Sequence, residues 1–416
     1  MNAPIMSERR TSMIGALLVA LGPVTMALYT PAMPELAHAF STSVASIKLT
    51  LSLYFGGFAL AQLVAGPMAD GLGRRKTTMI FLSIFLIGSL AAVLAPNVWV
   101  LLAGRLVQGI GASVGLTVSR AIVRDQFSGP ESARIMNMIA IMLTIGPAIA
   151  PTIGGLALVA LGWQSIFLLM VGLGITAIGV VLLFMAETTV PDPMRIRIGP
   201  LVSAYREILG NAQFLSATLT IACSIGILYG LATILPFILI GEVGLTPAEY
   251  GLGMLLQTGS FLAGSLVFRK ALGRFSARQL VAPGLFVIAV AAMLAPLSVW
   301  LVPLSYLSVM APVGVYAFGV AFIQPHLTTA ALAPFPHVAG SASAAIGFSQ
   351  MGSGMAAGMI SAIIGIATLS YQLIVPAMAL IAIAGYLWHL RSVRPEPDRP
   401  RAEIVPPFVP GHDDAQ

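Results

Sequence analysis

One basic residue, Arg105, lies within an otherwise apolar stretch of the sequence, and Gln108 follows it three positions later. Side chains three positions apart share one face of a helix, so the two are predicted to meet. An arginine at membrane depth costs about 2.5 kcal/mol or more, so it should face a cavity or a partner. The alternative is that Arg105 extends to the membrane interface, because Trp99 lies only about 9 Å away along a helix.

A second group of residues combines spaced glycines, one acid and a basic cluster. Gly66 and Gly73 allow close backbone approach and a sharp turn, and Arg74 and Arg75 follow directly. Asp70 lies between the glycines, where its carboxylate can meet the positive end of a neighbouring helix or an arginine on another span. An ordinary basic loop would account for the arginines but not for the glycines or the acid.

A third pattern consists of small residues around a proline: Gly146, Pro151, Gly154 and Gly155. Pro151 removes a backbone hydrogen bond, and the glycines form a groove on which another helix can pack closely. Helix packing alone is the alternative to a functional role, because small-residue faces are common in membrane bundles.

The elements that carry these residues are predicted to cross a membrane. Of the 416 residues 58% are hydrophobic and only 9% are charged, whereas soluble domains carry about a quarter charged residues. Runs of about 20 apolar residues are long enough to span a bilayer. They lie near 13–33, 47–68, 77–95, 98–118, 135–158, 163–186, 213–240, 250–268, 279–297, 301–323, 340–365 and 370–390.

This pattern divides the chain into two halves of six spans. Residues 1–186 form the N-terminal half, 187–212 a charged cytoplasmic linker, 213–391 the C-terminal half and 392–416 a disordered tail rich in proline. Leu72-Gly73-Arg74 recurs as Leu272-Gly273-Arg274, in both cases after the second span of a half. Such a repeat is typical of a transporter built from two parallel halves.

The positions of the basic residues predict the orientation. Of the 21 Lys and Arg residues we assign 19, Arg120 among them, to the N-terminus, alternate loops and the tail, leaving Lys48 near the opposite face and Arg105 inside a span. The positive-inside rule then places both termini in the cytoplasm. The net charge of +6 does not predict a nucleic-acid partner, because the basic residues do not form one face or stripe.

The three motifs resemble signatures of the major facilitator superfamily. The loop is similar to G-x-x-x-D-R-x-G-R-R, with Gly71 where the family has arginine, and the Arg105 segment is similar to R-x-x-Q-G-x-G. The third motif resembles the antiporter signature G-x-x-x-G-P-x-x-G-G, with Ala150 in place of the second glycine. The resemblance implies an all-α fold of twelve transmembrane helices, a gating loop, an arginine that assists substrate or proton handling, and export rather than import.

Two further stretches resemble the Bcr/CflA-type drug-resistance transporters. They are Tyr29-Thr30-Pro31-Ala32-Met33-Pro34 at the end of the first span and residues 331–344 between spans 10 and 11. Relatives commonly carry an acid two positions before that tyrosine, where this chain has Ala27. Proton coupling is therefore implied by the resemblance and not by a carboxylate at that position.

Glu35 is the nearest carboxylate to the first span. Pro31 and Pro34 are expected to distort the helix end, which could turn Glu35 inward as a proton carrier. The alternative is that Glu35 is a solvated residue at the external surface. Coupling through Arg105 and a protonated substrate would need no cavity carboxylate.

We predict an exporter of small amphipathic compounds in the cytoplasmic (inner) membrane, a monomer that exchanges its substrate for protons by alternating access. An importer or facilitator of the same fold and a multi-span membrane enzyme are the alternatives. We expect no cofactor and no metal, because Cys223 is the only cysteine, the five histidines are scattered and no Gly-Lys-Ser/Thr phosphate loop is present.

Overall fold

The computed structural model describes residues 4–192 and 198–393, and these form helices without a β-strand. The predicted tail from residue 394 onward, and Arg195 and Arg197 of the predicted linker, lie outside the described residues. Large apolar side chains cover much of the outer surface; Ile363, for example, is 84% exposed. Apolar patches of this extent are typical of a surface in contact with lipid.

The N-terminal half consists of eight helices. Side chains cap several of their first turns: Ser7 accepts from Arg10 N–H, and Asn97 accepts from Trp99 and Val100 N–H. The helices are α1 Glu8–Tyr29, α2 Met33–Ala39, α3 Val44–Leu72, α4 Arg74–Val93, α5 Val98–Ala112, α6 Val114–Gln126, α7 Gly129–Leu161 and α8 Gln164–Phe184.

The C-terminal half follows a short helix, α9, which spans Ile198–Leu209 inside the predicted linker. Capping boxes begin three of the later helices, with Thr246, Ser276 and Ser305 as the capping residues. The helices are α10 Ala212–Pro236, α11 Pro247–Gly253, α12 Leu255–Ala271, α13 Ala277–Leu301, α14 Tyr306–Leu332, α15 Ala339–Ile364 and α16 Ala367–Ser392.

Each of the twelve predicted spans overlaps one long helix or one helix that is broken once. Eleven of these in the described part of the chain are long and apolar enough to cross a membrane, when α1–α2, α5–α6 and α11–α12 each count as one. The twelfth is α15, whose 26 residues contain no charge but many Gly, Ser and Ala. α15 packs against α3 of the other half, and this contact requires close backbone approach. The small residues that allow the approach also lower the hydropathy of α15.

The repeated Leu-Gly-Arg segments differ in structure. Gly73 has a φ of +96° and leads directly into α4, whereas Gly273 lies in a wider turn that ends before α13 begins at Ala277. A side chain at Gly73 would be strained and would collide with the Glu187 carboxylate. The two segments therefore share a position in the topology but not a backbone conformation.

Candidate functional site

A cavity of about 400 Å³ lies between the two halves. Its wall is mostly apolar, and both halves contribute to it through α1, α3, α5, α6, α7, α10, α12, α14 and α15. The polar and charged side chains that line it are Gln62, Arg120, Thr144, Tyr229, Gln257, Thr258, Gln324 and Gln350. Arg120 is the one charged residue among these lining residues, and no carboxylate is among them.

The position of Arg120 corrects the sequence interpretation, which assigned it to a cytoplasmic loop face. Arg120 lies in the middle of α6, and its side chain is directed into the cavity. The positive-inside pattern misled the assignment because Arg124, one turn further along α6, lies at the helix end where such residues are expected. The cavity is thus positively charged at the end that is predicted to be cytoplasmic.

Arg105 is fully buried inside the N-terminal half. Its guanidinium carbon lies 4.2 Å from the Tyr29 ring centroid and 4.4 Å from that of Tyr54, so the charge is held between two aromatic faces. Arg105 donates to Gln108, as predicted from their spacing, and Gln108 donates in turn to the Ser89 hydroxyl at 2.7 Å. This arrangement ties α1, α3, α4 and α5 together.

The burial of Arg105 excludes the interfacial alternative, because a side chain that extends to the membrane surface would be exposed. It also places Arg105 behind the cavity wall and not among the lining residues. The connection to the cavity runs through Tyr54, whose hydroxyl donates to the Gly22 carbonyl at 2.9 Å, and Gly22 lines the cavity. In this structure Arg105 is therefore connected to the cavity wall through Tyr54 and does not itself line the cavity.

The predicted gating loop forms an ionic network within the N-terminal half. Asp70 pairs with Arg74, the first residue of the next span, and Arg74 Nε donates to Asp125 Oδ2 on α6 at 3.0 Å. Gly66 of α3 packs near Thr117, which also lies on α6. The network therefore fixes the predicted cytoplasmic ends of α3, α4 and α6 relative to each other.

The carboxylate at the positive end of α4 is that of Glu187, whereas Asp70 pairs with an arginine of the next span, the other alternative predicted for it from the sequence. Glu187 accepts from the backbone N–H of Arg74 at 2.7 Å and of Arg75 at 3.1 Å. These two groups are unsatisfied donors of a helix N-terminus, where a carboxylate is stabilised. The sequence reading missed Glu187 because it lies 113 positions beyond Arg74 in the chain.

The small-residue motif of α7 has two different faces. Gly146 and Gly154 pack against α1 within the same half, near Val24 and Leu28. Gly155 instead faces the other half, where a side chain would collide with the Pro247 carbonyl at the start of α11. Across the same contact, a side chain at Gly251 would collide with the backbone of Pro151. This part of the motif closes the bundle at the predicted external end.

Lys48 completes the closed end of the bundle. The sequence placed it near the external face, but the side chain is fully buried. Its Nζ donates to Ser361 Oγ at 2.9 Å and to the Ser361 carbonyl at 3.2 Å, across the interface between α3 and α15. The same ammonium lies 5.6 Å from the ring centroid of Phe237, in the π-helical turn after α10. No sequence motif marked this contact, because its partners are 313 positions apart.

The inward-facing placement of Glu35 is wrong. Pro31 and Pro34 do distort the helix end, which continues as a 3-10 turn at Thr30–Ala32 and then as α2. The register of α2 buries Met33 and Leu36 and leaves Glu35 exposed. Glu35 is not among the residues that line the cavity, which agrees with the alternative of a solvated surface residue.

Replacement of Gly155 tests whether the closed end must open and close during function. We expect Gly155→Leu to prevent closure against Pro247 and to reduce transport at least tenfold, because the backbone contact leaves no space for a side chain. Gly172→Leu on α8 is the matched control, since nothing lies within 4 Å of a side chain added there. Transport rates normalised to membrane abundance are the measurement, and equal rates for the two variants would contradict the role of Gly155.

Comparison with known proteins agrees with this architecture. The family model for the Major Facilitator Superfamily matches residues 15–359. Multidrug resistance protein MdtL of Salmonella paratyphi B is 31% identical over 357 residues, which cover 85% of this chain and 88% of that protein. Multidrug resistance protein D of Escherichia coli is 28% identical over 380 residues, which cover 89% of this chain and 93% of that protein.

A solved structure shares the fold. It is that of a bacterial homolog of the human lysosomal transporter Spinster, in an inward-facing and unoccupied conformation. The TM-score is 0.69 at 18% sequence identity, over 92% of this chain and 96% of the other.

Proposed function

The chain belongs to the major facilitator superfamily, and we propose that it exports small amphipathic compounds that are neutral or anionic. It is a multi-pass membrane transporter with the fold that the sequence motifs predicted. The proposal of export draws on its multidrug-resistance relatives. The observation that carries the substrate class is the mostly apolar cavity with Arg120 and no lining carboxylate.

The charge of the cavity favours some substrates over others. An apolar wall with a few polar groups suits drug-sized amphipathic ligands. A permanent cation entering this cavity would meet Arg120 without a carboxylate on the wall to offset the repulsion. An anion or a neutral compound with a hydrogen-bond acceptor would instead gain from the guanidinium. An inside-negative membrane potential would also favour outward movement of an anion.

We also propose alternating access, with the observed state closed at the external end by Lys48–Ser361 and by the contact of Gly155 with Pro247. In this proposal residues 1–186 and 213–391 move as two halves, both termini lie in the cytoplasm, and the protein works as a monomer in the inner membrane. Protons are the proposed counter-ion.

Arg120→Gln provides the test of the substrate class. We expect efflux of an anionic amphiphile to fall about tenfold and efflux of a neutral one to stay within about twofold, because a charge-assisted hydrogen bond contributes about 1.5 kcal/mol. Efflux from cells is measured for matched anionic, neutral and cationic compounds, with and without a proton gradient. Arg124→Gln, which removes a charge from the end of the same helix, is the control.

Two outcomes would contradict the proposal. Strong efflux of permanent cations, unchanged in Arg120→Gln, would show that Arg120 does not select the substrate. Accumulation of a compound inside cells that carry the protein would favour the importer of the same fold.

A further inference from the structure

A second cavity, of about 720 Å³, lies within the C-terminal half and is separate from the one between the halves. Its walls come from the first turn of α10, the first turn of α13, the last two turns of α14 and the end of α16. Three basic side chains line it: Arg278, His326 and His389. We call it the basic pocket.

Arg278 is the one permanently charged side chain among the residues that line this pocket. His326 and His389 line it as well, and their imidazoles offer hydrogen-bond donors. No carboxylate is among the lining residues. An arginine without a carboxylate beside it in the pocket favours binding of an anion.

The pocket is built and not merely a gap between side chains. His389 is 4% exposed, its Nδ1 lies 3.2 Å from the Ser216 hydroxyl, and its ring stacks on Tyr386 at 6.4 Å between centroids. Gln213 Nε2 donates to the Ala330 carbonyl at 2.8 Å and so joins α10 to α14 across the floor. The imidazole of His389 is thus held in place before any ligand arrives.

Its depth and its apolar rim indicate the kind of anion. All four contributing helices begin or end at the pocket, which places it at the level of the lipid headgroups on the predicted cytoplasmic side. Leu390, Val393, Ala333 and Pro334 supply an apolar surface next to the basic groups. Basic pockets between transmembrane helices on the cytoplasmic side are suited to anionic lipid headgroups.

We propose that the basic pocket binds the phosphate of an anionic phospholipid from the cytoplasmic leaflet. Arg278 supplies the permanent charge and a forked donor, and His326 and Tyr386 supply further donors from neighbouring helices. The acyl chains lie along the apolar rim. Bound lipid would join α10, α13, α14 and α16 at one end of the C-terminal half.

Native mass spectrometry tests the proposal. The full-length protein is exchanged into micelles that contain phosphatidylglycerol or phosphatidylcholine, and the lipid that remains bound to the protein is measured. We expect retained phosphatidylglycerol and little retained phosphatidylcholine. Arg278→Gln combined with His326→Gln should weaken retention of the anionic lipid about fivefold or more, because the charge of Arg278 is lost together with an imidazole donor. Lys270→Gln, at the exposed end of α12 and outside the pocket, should retain it fully.

Two further measurements complete the test: one controls for misfolding, and the other distinguishes lipid from free phosphate. Arg278→Lys keeps the charge and should retain most of the binding, so loss in the double variant together with retention here excludes misfolding as the cause. Inorganic phosphate is the competitor that distinguishes lipid from free phosphate. The proposal is overturned if the double variant retains the lipid like the wild type, or if phosphate binds in the pocket and displaces the lipid at equal concentration.

Discussion

Arg105→Met is expected to reduce efflux at least tenfold while the abundance and the thermal stability of the protein stay near those of the wild type. Arg105 is fully buried between Tyr29 and Tyr54 and pairs with no carboxylate. Burial of an arginine in this way costs several kcal/mol of folding free energy. Two cation–π contacts of about 2 kcal/mol each compensate for this cost, so the net contribution of the charge to stability is small. Methionine has a similar volume and no charge, so the fold loses little when it replaces Arg105.

Transport should nevertheless fall, because the guanidinium fixes the rings of Tyr29 on α1 and Tyr54 on α3. Tyr54 in turn holds the carbonyl of Gly22 on the cavity wall. Without the charge, α1 and α3 lose a common anchor during the conformational cycle. Arg105→Lys is the matched variant: it keeps a charge but not the planar group that stacks between two rings, so partial efflux is expected.

Efflux assays with matched membrane abundance and melting curves of the purified variants decide this prediction. Wild-type efflux in Arg105→Met would show that Arg105 has no role in transport. A collapse of melting temperature in Arg105→Met, with efflux lost in proportion to abundance, would assign it a structural role alone.

Much of the fold was predictable from the sequence because its strongest signals are local. Apolar runs of membrane length gave the spans, and the spacing of Arg105 and Gln108 gave their contact within one helix. The helix α9 was missed because a short amphipathic segment lacks the length of a span. Its Tyr205 donates to the Leu63 carbonyl at 2.8 Å, and burial raises the pKa of Tyr205 to about 12.

The candidate site was less predictable because it depends on contacts between distant parts of the chain. Seven aromatic and amide side chains line the cavity: Phe58, Gln62, Tyr229, Gln257, Phe261, Gln324 and Gln350.

Tyr54 and Tyr316 lie in predicted spans but are buried outside the cavity, since an aromatic residue in a span gives no indication of which helix it will face. Arg120 was assigned to a loop face because the basic residues near it follow the positive-inside pattern. The burial of Lys48 was not predicted because a basic residue near a helix end is ordinarily interfacial. Their burial or direction follows only from the packing of the two halves.

Lys48 is the residue whose replacement should change the conformational equilibrium most. Its ammonium makes two hydrogen bonds to Ser361 across the halves, and a hydrogen bond to a charged donor contributes about 1.5 kcal/mol or more. An outward-open state must break both bonds and would expose the ammonium to water. Lys48→Met removes the bonds that hold the external end closed. We therefore expect a shift toward the open state of about tenfold and a comparable loss of efflux.

Accessibility of an introduced cysteine measures this shift directly. Cys223 is the only cysteine, so Cys223→Ala gives a cysteine-free background. Ser52 is buried between α3 and α15, next to Gly358, so a cysteine there should react slowly with a membrane-impermeant thiol reagent while the external end is closed. Lys48→Met should increase that rate about tenfold. A cysteine at Leu94, which is 75% exposed, should react at the same rate in both backgrounds.

Lys48→Arg separates the charge from the geometry of the contact. Arginine keeps the charge and can donate to Ser361, but its bulk does not match the space beside Phe237, so an intermediate rate is expected at Ser52→Cys. If Lys48→Met leaves the rate unchanged while efflux is lost, the ammonium acts on the substrate or a proton and not on closure. If both rate and efflux are unchanged, the contacts of Gly155 and Gly251 with α11 and α7 suffice to close the external end.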